Sequence, residues 1–352
     1  MRLALRGNGF LEWLALRAGL VPTPAAEAWG GLALAGVLIA AARSGLTDRL
    51  ATGAATAEEL AGELGLEPDA TRLLLDCLRS IGHVTHRSGR YRLSRRSRRW
   101  LDPASRLSVA RFVESNGDYW DWWARLPEVA RTGEPVGHHR APPDDPYWRR
   151  YIMGQFDLAR LSASEVAARL QLPAGPRRVL DIGGGHGWYS AQLCRRHPDL
   201  TATVLDLPGS ARIGREIIAR AGLSDRVRHI EGDALTSDLG GPYDLVMCFN
   251  LVHHLGTESI VGLFSKVRQS LSPAGQFAVL DAFGDPSRRR NIAGNFLGMF
   301  LYLSSGVRLY RPDELHAWLS AAGFGPPRRV PIRRIPGEAL YLTRPVAPAS
   351  GD

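Results

Sequence analysis

The hydrophobic pattern of the second half of the chain alternates between short apolar segments and helical stretches. Five apolar segments, each long enough for one strand, follow one another at 178–182, 202–206, 227–231, 244–249 and 276–281. Strands separated by helices pair in parallel and form a doubly wound α/β sheet. Two further segments, at 328–332 and 339–343, flank a Pro336-Gly337 turn and predict a hairpin. The expected fold is therefore a Rossmann-like, seven-stranded sheet whose last strand runs antiparallel.

The first part of the chain has a different pattern, in which helices precede an alternating segment. The pattern over 26–50 predicts a small-residue apolar helix that ends near Gly45, and the capping pair Thr56 and Glu59 predicts the start of another helix. Residues 83–94 alternate about a glycine turn and predict two paired strands. Helix, turn, helix and a two-stranded wing together predict a winged helix. Its second helix, over 69–81, is expected to bury Leu73, Leu74, Leu78 and Ile81.

These patterns divide the chain into four parts. The length supports a division, because 352 residues exceed the roughly 100 to 200 that are typical of one domain. Residues 105–170 are mostly helical and aromatic, with Tyr-Trp-Asp-Trp-Trp at 119–123, and they predict a connector rather than a further core. The predicted parts are a winged-helix domain over 1–104, a helical connector over 105–174, an α/β domain over 175–345 and a disordered tail over 346–352.

The composition is that of a folded protein, and the positive charge is clustered along the sequence. Apolar residues make up 45% of the chain and charged residues 22%, as in ordinary globular proteins. The net charge of +9 comes from arginine, since Lys266 is the only lysine, and seven arginines fall within 87–99. Such a cluster suits either a solvated face or contact with a nucleic-acid backbone, and we favour the solvated face.

Cysteines and apolar runs give no indication of export or of a membrane. Cys77, Cys194 and Cys248 are far apart and lack histidines at metal-ligand spacing, so neither a disulfide nor a metal site is expected. The apolar run over 32–42 is shorter than the roughly 20 residues of a membrane span, and no signal peptide is recognisable. We therefore expect a cytoplasmic protein without a bound metal or a membrane partner.

Residues 180–187, Leu-Asp-Ile-Gly-Gly-Gly-His-Gly, carry the first chemical motif. The acid closes the first predicted strand, and the glycines open the turn into a helix, because side chains there would block the approach of a ligand. A dinucleotide-binding loop would have glycine where Trp188 stands. A tight structural turn is the alternative explanation. The expected contacts are Asp181, Gly183, Gly184, Gly185 and Gly187.

The next two strand ends each add an acid. Asp206 ends the second strand, where a carboxylate accepts hydrogen bonds from both hydroxyls of a ribose. Asp233 ends the third strand, where a carboxylate receives an adenine amino group. Each aspartate alone also suits a helix cap, but ligands of such sheets bind where several strands end. The other expected contacts are Leu207, Gly232, Ala234 and Asn250.

Together these residues resemble the class I S-adenosylmethionine-dependent methyltransferases. The segments 124–135 and 197–208 and the winged helix narrow the resemblance to small-molecule O-methyltransferases of bacterial polyketide and plant phenylpropanoid pathways. The resemblance implies S-adenosylmethionine as cofactor and a small-molecule acceptor, most of all a hydroxyl of an aromatic or polyketide-type metabolite. It also implies a homodimer through the N-terminal domain, which does not bind DNA, with that domain and the connector lining the substrate pocket.

The fourth strand leads into a His-His pair, where the family carries its general base. A hydroxyl acceptor must lose its proton, and imidazole titrates near working pH. His253 matches the family's base by its distance to Glu258, and His254 is the competing candidate. A purely structural histidine pair is the third possibility. The resemblance also assigns Asp281, at the end of the fifth strand, as the acid that orients the base.

The chain departs from the family where a glutamate normally orients the histidine. Residues 305–315 read Ser-Gly-Val-Arg-Leu-Tyr-Arg-Pro-Asp-Glu-Leu, with no acid at the family's position. Transfer to carbon or nitrogen, which needs a base less than it needs alignment, therefore stays open. The apolar segment 295–303 resembles the wall of the family's acceptor pocket, although a buried core helix explains it equally well. The expected contacts there are Phe296, Met299 and Phe300.

Two other classes of function compete with this interpretation. A nucleic-acid methyltransferase is suggested by the charge and the winged helix. However, the N/D/S-P-P-Y/F/W tetrad of enzymes that modify base amino groups is missing after the fourth strand, and Asp-Asp-Pro-Tyr-Trp at 144–148 lies before the glycine turn. A non-enzymatic DNA-binding regulator with a decayed cofactor site is disfavoured, because Asp181, Asp206 and Asp233 are intact.

Overall fold

A β-hairpin that packs on short helices organises the first of two compact units, Met1–Gly117. The computed structural model describes residues 9–137, 139, 141–170, 172, 177–284, 292–335 and 337–346. The hairpin strands pair antiparallel about the glycine turn, as the alternation predicted. The elements of this unit are α1 (Phe10–Arg17), α2 (Thr23–Arg43), α3 (Leu46–Thr52), α4 (Ala57–Leu64), α5 (Pro68–Ser80), β1 (Val84–Arg87), β2 (Arg90–Leu93), α6 (Arg95–Leu101) and α7 (Ala110–Ser115).

Helix α5 is present, but its buried face differs from the predicted one. Leu75 and Leu78 are buried together with Thr71, at a spacing of one and two helical turns. Leu73 is 67% exposed and Ile81 is 40% exposed, so the predicted face was wrong at these two positions. Helix α5 packs against α4 and β1, and this long-range contact selects the buried face.

Helix α2 is longer than the apolar run over 32–42, which by itself is too short to span a membrane. It has 21 residues and a mean hydropathy of 1.6 over its best window, which makes it long and apolar enough to cross a membrane by length and composition alone. Only 6% of that window is buried within the chain, and Trp29 and Leu32 are 76% and 60% exposed. Exposed large apolar side chains close together on one helix are typical of an interaction site.

A seven-stranded sheet forms the centre of the second unit, Asp118–Asp352. Its strands are β3 (Arg177–Ile182), β4 (Leu200–Asp206), β5 (Val227–Glu231), β6 (Tyr243–Phe249), β7 (Leu271–Ala282), β8 (Arg328–Val330) and β9 (Glu338–Thr343). Their order is β5-β4-β3-β6-β7-β9-β8, and β9 alone runs antiparallel to its neighbours. The predicted strands and the predicted antiparallel last strand are therefore confirmed.

Helices cover both faces of this sheet. The helices of this unit are α8 (Trp120–Ala124), α9 (Leu126–Thr132), α10 (Pro146–Arg169), α11 (Trp188–Arg196), α12 (Pro208–Arg220), α13 (Thr257–Ser270), α14 (Ile292–Ser305) and α15 (Pro312–Ala321), of which α10, α11, α12, α13 and α15 pack on the sheet. Strand residues alternate between a core shared with α10 and α11 and a core shared with α13 and α15. In the second core, Phe264 meets Phe277 edge to face with 5.1 Å between the ring centroids. Each such fully buried side chain contributes roughly 1.5–3 kcal/mol.

The domain boundaries drawn from the sequence stay predictions. The compact units assign residues 105–117 to the first unit and the rest of the predicted connector to the second. The turn residue Pro336, the arginines at 288–290 and residues 347–352 of the predicted tail lie outside the described residues. For the site, the parallel strands matter most, because their carboxyl ends meet at one edge of the sheet.

Candidate active site

The glycine turn after β3 has the backbone shape that its sequence predicted. Gly183, Gly185 and Gly187 have φ values of 65°, 49° and 64°, which side-chain-bearing residues rarely adopt. A side chain at Gly184 is excluded by a steric clash, since its Cβ atom would lie 2.5 Å from Cγ of Asp181. The turn therefore presents bare backbone to the edge of the sheet.

Asp181 lies beneath this turn and is 1% exposed. Ser190 Oγ donates a hydrogen bond to its Oδ2 at 2.7 Å, while its Oδ1 accepts none from the described residues. Burial raises the pKa of Asp181 to about 7; the charge of Asp206 adds to the rise, and the bond from Ser190 opposes it. A buried acceptor with one unused oxygen is suited to a ligand that brings its own donor.

Asp206 joins the turn after β3 to the start of α12. Its Oδ2 accepts the backbone N–H of Gly185 and its Oδ1 accepts that of Leu207, each at 2.7 Å. Burial raises its pKa to about 6, although both backbone bonds favour the ionised form. Each carboxylate oxygen has a second lone pair, so the two oxygens can each accept one further hydroxyl.

The loop after β5 is the third part of the edge. Asp233 is exposed, and its Oδ1 accepts the N–H of Leu235 at 2.8 Å. Gly232 lacks room for a side chain, since a Cβ atom would lie 2.4 Å from Oγ of Ser237. The described structure thus brings the three predicted strand-end motifs to one edge, although the Oδ1 of Asp233 already closes a turn.

Lys266 of α13 fixes this loop, and the sequence analysis missed its role. Its Nζ donates to the carbonyl oxygens of Ala234 at 2.9 Å, Leu235 at 3.1 Å and Ser237 at 2.6 Å. An ammonium group has three donors, so all of them are used. Its being the only lysine of the chain was visible in the sequence, but the contact across the fold was not.

Two buried histidines stabilise the glycine turn, His229 from β5 and His186 from within the turn itself. His229 Nε2 lies 3.0 Å from the carbonyl oxygen of Gly185, and its Nδ1 is buried without a partner among the described residues. His186 Nδ1 accepts the N–H of Trp188 at 3.0 Å. Burial lowers the pKa of His186 to about 3 and that of His229 to about 4, so both rings are neutral near pH 7.

His253 and Asp281 form the main polar contact beyond the end of β6. His253 Nδ1 and Asp281 Oδ1 are 2.5 Å apart, and the backbone N–H of His253 donates to Oδ2 at 3.3 Å. Asp281 is 1% exposed, and the imidazole is 15% exposed. The arrangement fixes Nδ1 as the donor and leaves Nε2 as the basic nitrogen. Burial opposes protonation, but the charge of Asp281 and its hydrogen bond outweigh burial, so the pKa of His253 is raised.

His254 has a different environment. Its Nδ1 lies 3.1 Å from Oγ of Ser305, and its ring centroid is 4.2 Å from that of His253. Nδ1 of His254 therefore lies beside a neutral hydroxyl, whereas Nδ1 of His253 lies beside a carboxylate. Asn250, just before this pair, has a φ of 53°, and its N–H donates to the carbonyl oxygen of Leu280 at 2.8 Å.

Glu338, the first residue of β9, is a second acid that the sequence analysis missed. It pairs with Ala282, the neighbour of Asp281, across the β7–β9 ladder. Burial raises its pKa to about 7; the charge of Asp281 raises it further, and His253 and Asn250 oppose the rise. Only the register of the last strand brings this residue to the site, so no local pattern could have identified it.

An aromatic group joins α14 to the segment around α8. Phe300 packs on Tyr119, Trp122 and Trp123, with ring centroids 4.9 to 6.1 Å apart. Met299 is half-buried, whereas Phe296 is 61% exposed. Phe300 therefore has the packing expected of a pocket wall, and Phe296 does not contribute comparable burial in the single chain.

His139 joins this aromatic group. It stacks on Trp148 with 5.2 Å between centroids and meets Tyr151 and His254 edge to face at 4.7 and 5.5 Å. Its sequence position between Pro-rich segments gave no partner. In the structure its aromatic partners include Tyr147, Trp148 and Tyr151, all of which lie on α10.

These features fit S-adenosylmethionine on structural grounds. The bare glycine turn, the unused oxygen of Asp181 and the remaining acceptor sites of Asp206 provide a cradle and acceptors for a ribose and an amino group. Within the described ranges no group of three or more His, Cys, Asp or Glu side chains could hold a metal ion.

Comparison with known proteins identifies two families along the chain. Residues 136–325 match the O-methyltransferase domain, and residues 27–103 match the O-methyltransferase dimerisation domain. The chain is 31% identical to the tetracenomycin polyketide synthesis 8-O-methyl transferase TcmO of Streptomyces glaucescens, over 76% of this chain and 80% of that protein. It is 28% identical to the 3-hydroxy-5-methyl-1-naphthoate 3-O-methyltransferase of Streptomyces sahachiroi, over 88% and 91%.

Solved structures and other relatives add to this result. Human N-acetylserotonin methyltransferase in complex with SAM shares the fold, with a TM-score of 0.80, 20% identity and coverage of 91% of this chain and 96% of that one. Relatives named for other acceptor atoms also occur. The N,N-dimethyltransferase OxyT of Streptomyces rimosus is 29% identical over 71% of this chain and 75% of that protein.

The buried histidines predict a pH-dependent stability. Folding lowers the pKa of His229 from 6.5 to about 4, so the unfolded chain binds more protons than the folded one between these values. The stability that the neutral ring contributes above pH 6.5 is therefore lost as the pH falls toward 4. We expect the destabilisation caused by His229→Gln to shrink by roughly 1.4 kcal/mol per pH unit below the unfolded pKa.

Urea unfolding of wild type and variant between about pH 7 and about pH 5 measures this difference. His316→Gln, at an exposed position, is the control and should show no such trend. Parallel pH dependences for wild type and His229→Gln would contradict the prediction.

Proposed function

Since this chain belongs to the family of S-adenosylmethionine-dependent O-methyltransferases, we propose that it methylates a hydroxyl group of a small aromatic or polyketide-type metabolite. The observation that carries the proposal is the short contact between His253 Nδ1 and Asp281 Oδ1, which leaves Nε2 basic. The His253 ring lies beside His254, which meets the aromatic group through His139. The names of the two relatives from Streptomyces, which act on a naphthoate and on a polyketide, support the acceptor class.

The cofactor is S-adenosylmethionine, and we assign its contacts to the edge formed by β3, β4 and β5. Gly183, Gly184, Gly185 and Gly187 would cradle it, with Asp181 beneath. Asp206 would accept the ribose hydroxyls, next to Leu207, and the loop of Gly232, Asp233 and Ala234 would receive the adenine. Asn250 would border the site near the reacting group. When bound, the cofactor supplies an electrophilic methyl group.

His253 acts as general base in this proposal. Its Nε2 takes the proton of the acceptor hydroxyl, while Asp281 holds Nδ1–H and stabilises the imidazolium that results. The proton then passes to solvent. Phe300 and Met299 would hold the acceptor ring, and Phe296 would contribute only if the exposed end of α14 is covered in the functional assembly.

The N-terminal domain supports a homodimer, because it matches the family's dimerisation domain. We assign the exposed apolar surface of α2 to that contact, since this helix begins just before the matched residues and continues within them. In this proposal the winged helix binds no nucleic acid. Tight, salt-resistant DNA binding in a mobility-shift assay would argue against it. A cytoplasmic location stays a prediction.

Methylation of nitrogen or carbon is the second candidate. Two observations favour it. The chain has no acid at the position within 305–315 where the family carries its glutamate, and one of the relatives is an N,N-dimethyltransferase. A mass-spectrometric screen for the gain of one methyl group across phenols, polyketides and amines distinguishes the acceptor atoms.

Removal of the Asp206 carboxylate should abolish most cofactor binding. Two hydrogen bonds to a charged group are worth about 1.5–3 kcal/mol each, so Asp206→Ala should weaken the affinity for S-adenosylmethionine roughly a hundredfold or more. Calorimetric titration measures this affinity. Asp238→Ala is the control, because Asp238 is an exposed aspartate that caps a turn at Gly240. Unchanged affinity in Asp206→Ala would refute the ribose assignment.

Removal of the base should separate binding from turnover. We expect His253→Asn to keep its affinity for S-adenosylmethionine and to lose roughly 10²- to 10⁴-fold in kcat, the usual contribution of a positioned base. His254→Asn is the matched variant and should lose far less. Full activity of His253→Asn would transfer the role to His254 or to no base at all.

Replacement of Lys266 should weaken cofactor binding without changing the rate of the chemical step. Lys266→Met removes the clamp on the loop after β5 and should raise the Kd of S-adenosylmethionine roughly tenfold, about 1.4 kcal/mol, with little change in kcat. Arg268→Met removes the same charge two residues further along α13, where the side chain caps Gly323 instead. Equal affinities of the two variants would show that the loop does not need the clamp.

A further inference from the structure

Trp148, on the first turn of α10, lies against the segment that carries Asp206. The indole is 3% exposed, and a Cβ atom on Gly209 would lie 2.4 Å from its Cδ1, so the ring contacts the backbone of Gly209. Gly209 lies at the start of α12, just after Leu207, whose N–H donates to the Asp206 carboxylate. The five-membered ring of Trp148 therefore packs on the segment to which we assign the cofactor ribose.

The same indole stacks on His139. The two ring centroids are 5.2 Å apart and the ring planes differ by 15°, as in an offset-stacked pair. His139 has a φ of 59°, a conformation that a residue with a side chain keeps only where the surrounding packing holds it. Its ring meets that of His254 at 5.5 Å, and the His254 ring lies 4.2 Å from that of His253. Trp148 therefore contacts both the cofactor segment and the ring that adjoins the histidine pair.

Contacts on several sides fix the orientation of Trp148. Its Nε1 donates to the carbonyl oxygen of Pro142 at 2.9 Å, and the Oδ1 of Asp145 caps the first turn of α10. One turn further along the helix, Ile152 lies against the glycine turn, since a Cβ atom on Gly185 would lie 3.4 Å from its Cδ1. Close-packed interiors transmit displacements, so the indole cannot move independently of these neighbours.

We propose that Trp148 is a positioning residue that couples the Asp206 segment to the His253–His254 pair. Binding of the cofactor fixes the segment that begins α12, and Trp148 carries this constraint through His139 to the histidines. The base is thereby held in alignment with the bound cofactor, as transfer between two reacting groups requires. Trp148 acts through its neighbours and is not itself a reacting group. This inference rests on the proposed function, in which Asp206 binds the ribose and His253 is the base.

The first test needs no acceptor. In protein labelled with ¹³C at histidine Cε1, the His139 resonance, assigned with His139→Gln, is followed by NMR as S-adenosylmethionine is added. Saturation with the cofactor should shift this resonance in the wild type, because packed side chains carry the change at Gly209 to the stacked ring. In Trp148→Leu the shift should fall by roughly half or more, while calorimetry should give a Kd within about threefold of the wild-type value. Trp148→Phe keeps a flat ring in the stack and should restore most of the shift.

His139→Gln interrupts the same path from the other side and leaves the buried indole in place. In this variant the His254 resonance, assigned with His254→Asn, should respond less to S-adenosylmethionine than in the wild type. The proposal can therefore be tested even if Trp148→Leu does not fold.

Phe264→Leu is the matched control. Phe264 is a fully buried aromatic residue of α13 that packs on Phe277, in the core shared with α13 and α15 rather than with α10. Its substitution also removes a buried ring from the same unit, but not from the path between Asp206 and the histidine pair. It should leave the response of His139 to S-adenosylmethionine in place. A thermal unfolding scan of each variant establishes that the fold is retained.

The second test uses turnover of an acceptor found in the mass-spectrometric screen. Trp148→Leu should lose roughly 10- to 100-fold in kcat, because a small misplacement caused far from the reacting atoms has a cost of this order. Trp148→Phe should lose far less, and Phe264→Leu should keep the wild-type kcat. A full response of His139 in folded Trp148→Leu overturns the inference, as does a wild-type His139 resonance that the cofactor does not move. A change confined to the affinity for S-adenosylmethionine also overturns it, since the indole would then serve the cofactor site alone.

The two hypotheses fail in different ways. If the response of His139 is lost in Trp148→Leu but His253→Asn keeps full turnover, the coupling through Trp148 stands and the proposed base is wrong. If His253→Asn is inactive and His139 responds fully in Trp148→Leu, the base stands and Trp148 contributes only to packing.

Discussion

Parallel pairing of the central strands is the constraint on which the site depends. Because β4, β3, β6 and β7 run in one direction, the residues that follow them reach the same edge of the sheet. Asp181, Asp206 and Asp281 are separated by up to 100 residues in sequence, yet each owes its place to this one alignment. The backbone bond from Gly185 to Asp206 then couples two of these strand ends directly.

This edge is acidic in a protein whose net charge is +9. Burial raises the pKa of Asp181, Asp206 and Glu338 to about 7, 6 and 7, so the free protein holds part of this charge as protonated carboxyls at neutral pH. A ligand that brings a sulfonium and an ammonium group offsets the repulsion, whereas a phosphate backbone would add to it. The acidic site therefore favours a positively charged ligand, whereas the net positive charge of the chain favours a phosphate backbone. The function follows from the ligand that the site can bind.

Local sequence information predicted the parts of the fold that depend on local physics. Strand positions, the glycine turn, the capping box at Thr56 and the wing all follow from periodicity or from backbone preferences, and all are present. Leu73 was assigned to the wrong face because packing against α4 and β1 selects the face of α5. Lys266, His139 and Glu338 were missed because their partners come from other elements, and only the folded chain brings them together.

The acidic surroundings of His253 also bear on the kind of acceptor it can serve. A phenolic hydroxyl titrates near pH 10 and a free imidazole near 6.5, so proton transfer between them is unfavourable by roughly 5 kcal/mol. Any rise in the pKa of His253 reduces this gap, and Asp281 and Glu338 both act in that direction. The same rise keeps His253 protonated, and therefore inactive as a base, at lower pH. Above neutrality, where the ring is deprotonated, the enzyme has a stronger base. That exchange benefits a hydroxyl acceptor and brings nothing to an amine that is already neutral, which makes the basicity of His253 a direct indicator of the acceptor atom.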